Sequence, residues 1–227
     1  MQKEQQVTAP SAASAGSDAR GAGASVSPSA RAGMLGFRAA KRLLDISVSL
    51  AGIALLLPLV PVLLAANRRH NPGPLLYRQA RMGRGCATFT VLKFRTMAPG
   101  GSRAHDEPLE TDRITPLGRF MRRTRIDELP QLVNVLRGEM SLIGPRPDPL
   151  EHAAAFMEAV PGYRERHAVR PGLSGLAQTS QGYIVGIEAA KRKVELDLAY
   201  VRGQGWALEA RLLWRTLKVL RTGFGAR

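Results

Sequence analysis

An apolar segment constrains the fold of this chain more than any other feature. Between Leu43 and Ala66 the only charged side chain is that of Asp45, and the segment is long enough for a membrane helix. Pro58 and Pro61 lack the backbone N–H groups that a straight helix would use near the middle of the segment. We therefore expect the segment to meet lipid, with a break in its helix.

Both flanks of this segment are basic. The positive residues are Arg38, Lys41 and Arg42 before it, and Arg68, Arg69, Arg78, Arg81 and Arg84 after it. Because positive residues favour the cytoplasmic side of a membrane, positive charge at both ends gives no preferred crossing direction. A re-entrant helix–break–helix over residues 34–70, broken at Leu57–Pro58, would keep both flanks on one face. A transmembrane helix kinked by proline is the alternative. At the membrane border we expect Asp45 to pair with Lys41 or Arg42.

The first part of the chain lacks residues that form a core. Residues 1–33 are rich in Ala, Ser and Gly and cannot bury enough surface to offset their conformational entropy, so we predict a disordered tail. The apolar segment begins far from Met1, which argues against a cleavable signal peptide. Residues 98–113, rich in Pro, Gly and charge, are predicted to form a loop.

The net charge limits the possible partners. A formal charge of +15 implies an anionic partner, which is nucleic acid, an acidic membrane or a phosphorylated substrate. Aromatic residues do not interleave with the basic stretches, so the stacking surface of a single-strand nucleic-acid binder is missing and we expect no nucleic acid. Cys86 is the only cysteine and the four histidines lack metal-ligand spacing, so we expect neither a disulfide nor a zinc site.

Two short runs rich in β-forming residues predict a β-hairpin. They cover Leu75–Gln79 and Thr88–Phe94 and are joined by a turn that contains glycine. The second run carries Lys93 and is followed by Arg95, and the alternation of a strand puts both cations on one side. They are candidate phosphate contacts, although a solvated strand face has the same pattern.

Asp127 and Glu128 are adjacent carboxylates in a cationic stretch. The arginines just before them are Arg119, Arg122, Arg123 and Arg125. Nearby positive charge favours the ionised form of a carboxyl group, so we expect two charged carboxylates suited to metal binding or nucleophilic attack. The surplus arginines would then face phosphate. The alternative is an ordinary acidic pair at a helix N-terminus, since an apolar helical pattern begins at Leu129.

Later in the chain, two turns rich in Gly and Pro each carry an arginine. Gly144–Pro149 presents Arg146, and Val169–Gly175 contains Arg170. Residues 188–222 are predicted to be helical, amphipathic and basic, with two tryptophans. This region would either lie on an anionic membrane or pack on the core with a solvated basic face.

The motifs between Lys41 and about Leu220, taken in order, resemble one protein family. They are Lys41–Asp45, the proline at position 58, Lys93–Met97, Asp127–Leu132, Asn134–Leu136, Gly138–Ser141, Gly144–Pro147, Val169–Gly172 and Glu195–Asp197. The chain resembles the bacterial sugar transferases, that is, the monotopic polyprenyl-phosphate phosphoglycosyl transferases of the small type with a catalytic domain alone. It departs from them at Leu57–Pro58, where small members commonly carry Ser-Pro, and over Gly175–Gly182, where a Trp is lost and a residue is added.

The resemblance implies a fold and a reaction. The fold would be α+β and mainly helical, with the re-entrant membrane segment, a small β-hairpin and amphipathic interfacial helices. In such enzymes the Asp of the acidic pair attacks the phosphate next to the sugar of a nucleotide diphosphate-sugar, and a polyprenyl phosphate then accepts the phosphosugar. By position, Asp127 is the nucleophile and Glu128 is the partner that helps to hold Mg²⁺. The predicted phosphate or nucleotide contacts are Lys93, Arg95, Arg122, Arg146 and Arg170.

The resemblance also implies partners and a location. Residues 71–227 would form a catalytic domain on the cytoplasmic face of the bacterial inner membrane, held there as a monotopic protein by residues 34–70 and in contact with membrane lipid. A UDP-sugar would be the donor and undecaprenyl phosphate the acceptor, which would initiate a glycan of the exopolysaccharide, O-antigen or capsule type. The alternative function is a membrane-anchored basic adaptor that binds anionic lipid or nucleic acid without chemistry.

Overall fold

The computed structural model describes residues 28–71, 73–98, 111–181 and 186–222. In this part, the helices are α1 (Pro28–Leu56), α2 (Leu59–His70), α3 (Pro116–Thr124), α4 (Gln131–Arg137), α5 (Leu150–Ala159), α6 (Leu176–Gln181), α7 (Ile187–Arg202) and α8 (Trp206–Thr222). The strands are β1 (Leu76–Met82), β2 (Thr88–Phe94), β3 (Ser141–Ile143) and β4 (Gly172–Ser174). The prediction of a mainly helical fold with a small β-hairpin is confirmed.

Most of the predicted tail lies outside the described residues. Residues 1–27 lie outside the described part of the chain, but α1 already begins at Pro28, before the predicted boundary at residue 33. Most of the predicted loop over 98–113 also lies outside the described residues, and Thr111–Arg113 form a short 3-10 helix.

The long helix breaks at Leu57–Pro58, where the sequence predicts a break. Leu57 N donates to Ile53 O at 3.0 Å, but Pro58 has no N–H to continue this series, and α1 and α2 are bent by 57° relative to each other. Pro61 does not break α2, because it lies in the first turn, where backbone donors have no partner within the helix. Among the described residues, no single helix has the length and hydropathy of a membrane span, whereas the bent pair reaches both together.

An exposed apolar surface surrounds this break. Large apolar side chains that are at least two-fifths exposed occur on both sides of it: Leu43, Leu44, Val48, Leu50, Leu55, Leu57, Val62 and Leu64. Leu55 next to the break is 79% exposed. Exposure of a contiguous apolar surface marks an interaction site, and the length of the segment makes lipid the partner that we propose below.

Asp45 joins α1 to the rest of the molecule. Its carboxylate is 3% exposed and accepts hydrogen bonds from Ser141 Oγ at 2.8 Å and from Leu142 N at 3.1 Å. The expectation that it pairs with Lys41 or Arg42 is therefore wrong. The four-residue spacing of Lys41 and Asp45 on one helix suggested that pairing, but Ser141 and Leu142 of β3 donate to Asp45 instead.

The two basic neighbours of Asp45 also contact other elements. Lys41 Nζ forms an ion pair with Glu209 Oε2 on α8 at 2.6 Å. Arg42 donates from Nη1 to Val135 O at 2.6 Å and from Nη2 to Leu136 O at 2.9 Å, at the C-terminal end of α4. Cations are favourable at this end of a helix, where carbonyl groups lack helical partners. The charged residues of the Lys41–Asp45 motif thus fix α1 to three other elements.

The hairpin of β1 and β2 is antiparallel, with Leu76 opposite Phe94 and Met82 opposite Thr88. Buried Asn134 connects it to α4, because its Oδ1 accepts from Leu92 N at 3.1 Å and its Nδ2 donates to Thr90 O at 2.7 Å. The side chain thereby satisfies backbone groups on β2 that face away from β1. This contact fixes α4 against the strand that carries Lys93.

A second, parallel pair of strands was not predicted. Ser141 of β3 pairs with Gly172 of β4, and Ile143 pairs with Ser174. A Cβ atom at Gly172 would lie 2.1 Å from Gly144 N, so the backbones approach too closely for any side chain there. This contact holds the Gly144–Pro149 turn against the turn that contains Arg170.

The C-terminal region forms two helices rather than one. Residues between Arg202 and Trp206 separate α7 from α8. On α8, Leu212 is fully buried and Glu209 is nearly so, whereas Trp206, Trp214 and other apolar side chains are exposed. The helix therefore packs on the core, as one alternative from the sequence predicted, and it also presents an exposed apolar surface.

The anchoring role of Asp45 predicts a loss of stability in Asp45→Ala. The variant would leave Ser141 Oγ and Leu142 N without their acceptor, which costs about 1–3 kcal/mol. We expect a thermal unfolding midpoint several degrees lower for the detergent-solubilised variant. Asp112→Ala, at an exposed aspartate, is the control. Equal midpoints for the two variants would contradict the assignment.

Candidate active site

The acidic pair follows a sharp turn at Arg125. Thr115 Oγ1 caps the N-terminus of α3 by accepting from Gly118 N at 3.0 Å, and α3 ends at Thr124, with Arg125 as the next residue. Arg125 adopts a left-handed conformation with φ 58° and ψ 14°, which is uncommon for a residue with a side chain. A short 3-10 helix over Ile126–Glu128 follows directly and leads into α4. The local backbone thus fixes where Asp127 and Glu128 lie.

Glu128 is held by Arg146 from the predicted turn. Arg146 Nη2 lies 2.5 Å from Glu128 Oε1, and Nη1 lies 3.4 Å from Oε2. Burial would raise the pKa of Glu128, but the charge of Arg146, with those of Lys93 and Arg125, outweighs burial and lowers this pKa to about 2. Glu128 is therefore ionised at neutral pH.

Asp127 has the opposite shift. Its side chain is 8% exposed, and burial together with the charge of Glu128 raises its pKa to about 6, although Lys93, Arg122 and Arg146 lower it. The sequence predicted two charged carboxylates, and with this pKa Asp127 is still mostly ionised at neutral pH. The pKa is nevertheless raised rather than lowered, because the loss of hydration outweighs the nearby cations. Within the described part of the chain, Asp127 Oδ1 is buried without a hydrogen-bond partner.

Lys93 lies close to this pair. Burial and the charges of Arg81 and Arg146 lower its pKa to about 7, while Glu128 and Asp127 act in the opposite direction. Arg81, which the sequence did not single out for the site, lies close to the same groups, since burial and the charge of Arg146 lower its pKa to about 10. Several cations and two carboxylates therefore share one poorly hydrated region.

Arg122 lies at the edge of this cluster. Its Nε donates to Thr96 Oγ1 at 2.9 Å, and its charge acts on Asp127. The structure therefore brings together Lys93, Arg122 and Arg146 around Asp127 and Glu128. We call these five residues the acidic-pair cluster.

Arg95 does not belong to the acidic-pair cluster, so its prediction as a phosphate contact needs correction. Its side chain is 9% exposed, and its guanidinium group donates to Asn71 Oδ1, Asn71 O, Pro74 O and Met97 O. Alternation suggested that it would accompany Lys93, but Arg95 lies just past the end of β2, where that rule no longer applies. It holds the connection between α2 and β1 instead.

Arg170 also lies elsewhere. Its Nε donates to Gly138 O at 2.7 Å, just past the C-terminal end of α4. Asp127 precedes the other end of the same helix. Burial lowers the pKa of Arg170, and the charges of Arg42 and Arg84 lower it further, whereas the charge of Asp45 raises it. Arg170 therefore lies apart from the acidic-pair cluster, and its assignment as a phosphate or nucleotide contact stays a prediction.

A buried charge network supports the turn that presents Arg146. Arg166 is 1% exposed, and it donates from Nη2 to Arg146 O at 2.6 Å and from Nη1 to Asp148 Oδ2 at 2.7 Å. Its Nε donates to Asp197 Oδ2 on α7 at 2.8 Å, and Lys193 pairs with Asp148. No local sequence pattern indicates this role of Arg166, because its partners lie far away in the chain.

The carboxylates can be tested against the requirements of Mg²⁺. Within the described ranges, no group of three or more His, Cys, Asp or Glu side chains could hold a metal ion. Mg²⁺ commonly binds through one or two carboxylates and substrate phosphates and keeps several waters. Asp127, with its unpaired Oδ1, and Glu128 fit this kind of site, in which a phosphorylated ligand supplies further oxygens.

Comparison with known proteins identifies the family. The model of the bacterial sugar transferase family matches residues 37–223. A UDP-glucose:undecaprenyl-phosphate glucose-1-phosphate transferase of Caulobacter vibrioides is 42% identical over 187 residues, which are 80% of this chain and 67% of that protein. A UDP-N-acetylgalactosamine-undecaprenyl-phosphate N-acetylgalactosaminephosphotransferase of Aeromonas hydrophila is 38% identical over 190 residues, which are 82% of this chain.

The chain spans less than half of the length of one of these relatives and nearly all of the length of another. The match covers 45% of the Aeromonas protein but 92% of the exopolysaccharide production protein PSS of Rhizobium leguminosarum bv. phaseoli, which is 37% identical over 185 residues. The family model covers most of the chain, including the acidic-pair cluster. The chain belongs to the bacterial sugar transferase family.

Proposed function

We propose that this protein transfers a sugar 1-phosphate from a UDP-sugar to undecaprenyl phosphate. The observation that carries the proposal is Asp127, a buried carboxylate with an unpaired oxygen beside Lys93, Arg122 and Arg146. The names of the relatives support both substrates, because each of the two transferases compared above is named for a UDP-sugar and for undecaprenyl phosphate. The product would initiate a lipid-linked glycan, and the exopolysaccharide function of the Rhizobium relative supports that type.

The proposed reaction has two displacements at the same phosphorus. In the first, an oxygen of Asp127 bonds to the phosphorus that carries the sugar, and the bond from this phosphorus to the bridging oxygen breaks, so UMP leaves with the electron pair. In the second, an oxygen of undecaprenyl phosphate bonds to the phosphorus and displaces Asp127. The carboxylate is regenerated, and the lipid diphosphate-sugar is released.

The cations stabilise charge during both steps. The transferred phosphoryl group carries negative charge that spreads over its oxygens, so Lys93 and Arg122 would bind these oxygens. Arg146 is already oriented by its ion pair with Glu128 and can donate to phosphate on the same side. A bound diphosphate would favour the charged form of Lys93, whose pKa in the unbound protein is about 7.

Mg²⁺ is the proposed cofactor. Glu128 and Asp127 would hold it, and it would neutralise charge on the phosphates of the donor. Glu128 is ionised at neutral pH because Arg146 lowers its pKa. Its carboxylate is therefore available to a cation without first losing a proton.

We further propose that α1 and α2 form a re-entrant segment in the bacterial inner membrane, with the catalytic part on the cytoplasmic face. The exposed apolar side chains around Pro58 and the basic residues at both ends of the segment support this arrangement. The exposed Trp206 and Trp214 of α8 suit a membrane interface, where tryptophan is enriched. The acidic-pair cluster would then lie near the lipid phosphate.

The nucleophile can be tested with Asp127→Asn. We expect UMP release from a panel of UDP-sugars, with undecaprenyl phosphate and Mg²⁺, to fall by about 10³-fold or more, because the amide is a poor nucleophile. Asp112→Asn, at an exposed position, should retain the rate. A radiolabelled phosphosugar should remain on the wild-type protein when acceptor is withheld.

Full activity of Asp127→Asn would refute this assignment. Absence of UMP release from every donor, combined with salt-sensitive binding of duplex DNA that does not need Asp127, would favour the basic adaptor instead.

The raised pKa of Asp127 predicts an acid limit of activity. Its folded-state pKa lies above the ordinary value, so the carboxyl group is protonated below about pH 6 and cannot attack phosphorus. We expect kcat/KM to fall about tenfold for each pH unit below that point, as for an essential base of the free enzyme.

Glu128→Gln tests the cause of this limit. It removes the neighbouring negative charge that raises the pKa of Asp127, so the acid limit should move to lower pH even where kcat is reduced. The exposed Glu158→Gln should leave the limit in place. An unchanged profile in Glu128→Gln would contradict the proposed coupling.

The topology can be tested by cysteine labelling. In a Cys86→Ser background, Ala39→Cys and Arg69→Cys place one thiol on each side of the apolar segment Leu43–Ala66. A membrane-impermeant maleimide should label both from the cytoplasmic side of inverted vesicles, with labelling after detergent lysis as the measure of total thiol. Labelling from opposite sides would establish a kinked span instead.

A further inference from the structure

A second basic cleft lies at the C-terminal end of α4, beside α1. It encloses about 70 Å³, and its lining includes Arg38, Arg42, Arg84, Arg170, Tyr200 and Gln204. None of these six belongs to the acidic-pair cluster. We call it the basic cleft.

The basic cleft has more positive than negative charge. Lys41 also lines it, but Glu209 neutralises Lys41 at 2.6 Å. Asp45 is the acidic lining residue, and both of its oxygens accept hydrogen bonds from β3. Four arginines therefore face the cleft against one carboxylate that is already occupied.

These arginines retain donors for a ligand. Arg170 uses Nε for Gly138 O, and its two terminal nitrogens form no hydrogen bond within the described part of the chain. Arg38 and Arg84 are exposed and form no hydrogen bond with described residues. Arg42 and Arg84 lower the pKa of Arg170, after burial as the larger cause, so these guanidinium groups repel each other. A bound anion would offset that repulsion.

The basic cleft continues into an apolar one. A space of about 300 Å³ is lined by Gly33, Met34, Phe37, Gln204, Gly205 and Trp206, and it shares Phe37 and Gln204 with the basic cleft. The rings of Phe37 and Trp206 meet edge to face with centroids 5.1 Å apart. Met34 is 43% and Trp206 is 49% exposed, so this surface is open to a ligand.

Together the two clefts fit a molecule with an anionic head and an apolar body. We propose that they bind one anionic phospholipid, with its phosphate at Arg38, Arg84 and Arg170 and its glycerol and first acyl carbons on Phe37 and Trp206. The site lies on the part of α1 before Leu43, and it continues towards the exposed apolar side chains around the break. The inference rests on the membrane placement of α1 proposed above, but not on the reaction at Asp127.

A bilayer phospholipid fits this site better than the lipid substrate does. The phosphate of undecaprenyl phosphate must reach the phosphorus held at Asp127. Arg170 and Asp127 lie at opposite ends of α4, whose seven residues span about 10 Å. A phosphate bound in the basic cleft is therefore displaced from the proposed chemistry.

The test is calorimetric titration of the full-length protein in dodecyl maltoside with monomeric dihexanoyl phosphatidylglycerol. We expect saturable binding, and the Arg38→Ala/Arg84→Ala double variant should weaken it by about tenfold or more, since each cation near an anionic lipid contributes measurably. Arg164→Ala/Arg192→Ala removes the same charge at exposed positions outside the cleft and should bind like the wild type.

Further arms identify the ligand. Trp206→Ser should weaken binding of the lipid but not of inorganic phosphate. Dihexanoyl phosphatidylcholine should bind more weakly than phosphatidylglycerol because its choline cancels the charge.

Equal affinity of the two double variants for phosphatidylglycerol would overturn the proposal, and so would equal affinity of the protein for inorganic phosphate and phosphatidylglycerol. So would farnesyl phosphate, a short polyprenyl phosphate, if it bound tighter than phosphatidylglycerol and depended on Arg38 and Arg84. The titrations contain no sugar donor, so failure of the proposed transferase reaction would leave their outcome unaffected.

Discussion

The ion pair between Arg146 and Glu128 is the contact on which the acidic-pair cluster depends. It keeps Glu128 ionised in a buried position, where burial alone would favour the protonated form. The negative charge so fixed is then one of the two causes that raise the pKa of Asp127. Two neighbouring carboxyl groups thereby acquire different properties, which allows them different roles in one reaction.

This ion pair in turn depends on a network behind it. Arg166 binds the carbonyl of Arg146 and two carboxylates, those of Asp148 and Asp197, in an almost fully buried position. Buried ion pairs lose so much hydration that their net stabilisation is small, so the network is better explained by the position it fixes. It connects the turn before α5 to α7, and it leaves the Arg146 side chain directed to Glu128.

Local patterns in the sequence predicted the break, the hairpin and part of the cluster. Pro58 removes a backbone donor in any helix, and the alternation of Thr88–Phe94 is a property of the strand itself. Lys93 lies on β2, Arg122 on α3 and Arg146 in the Gly144–Pro149 turn. The order of the family motifs along the sequence predicted that these three residues lie near the acidic pair. For these features the sequence was sufficient.

Other residues were misplaced because the sequence does not show which backbone groups approach a charge. Asp45 was expected at a membrane border, but its carboxylate accepts a hydrogen bond from Ser141. Arg95 was expected to contact phosphate, but its guanidinium group donates to Asn71. The raised pKa of Asp127 depends on burial, which a count of neighbouring arginines cannot reveal. The network of Arg166 and Asp197 joins residues 31 positions apart and has no periodic pattern.

Helix α4 separates Arg170 from the other predicted phosphate contacts Lys93, Arg122 and Arg146. At its C-terminal end, Arg42 and Arg170 donate to carbonyl groups, including those of Val135 and Gly138, that the end of the helix leaves without partners. The cations before its N-terminal end face carboxylates instead. The same helix packs tightly on α1, since a Cβ atom at Gly52 would lie 2.6 Å from Leu132 Cδ1. Under the membrane placement proposed above, a contact that fixed the depth of α1 would therefore also fix the height of Asp127.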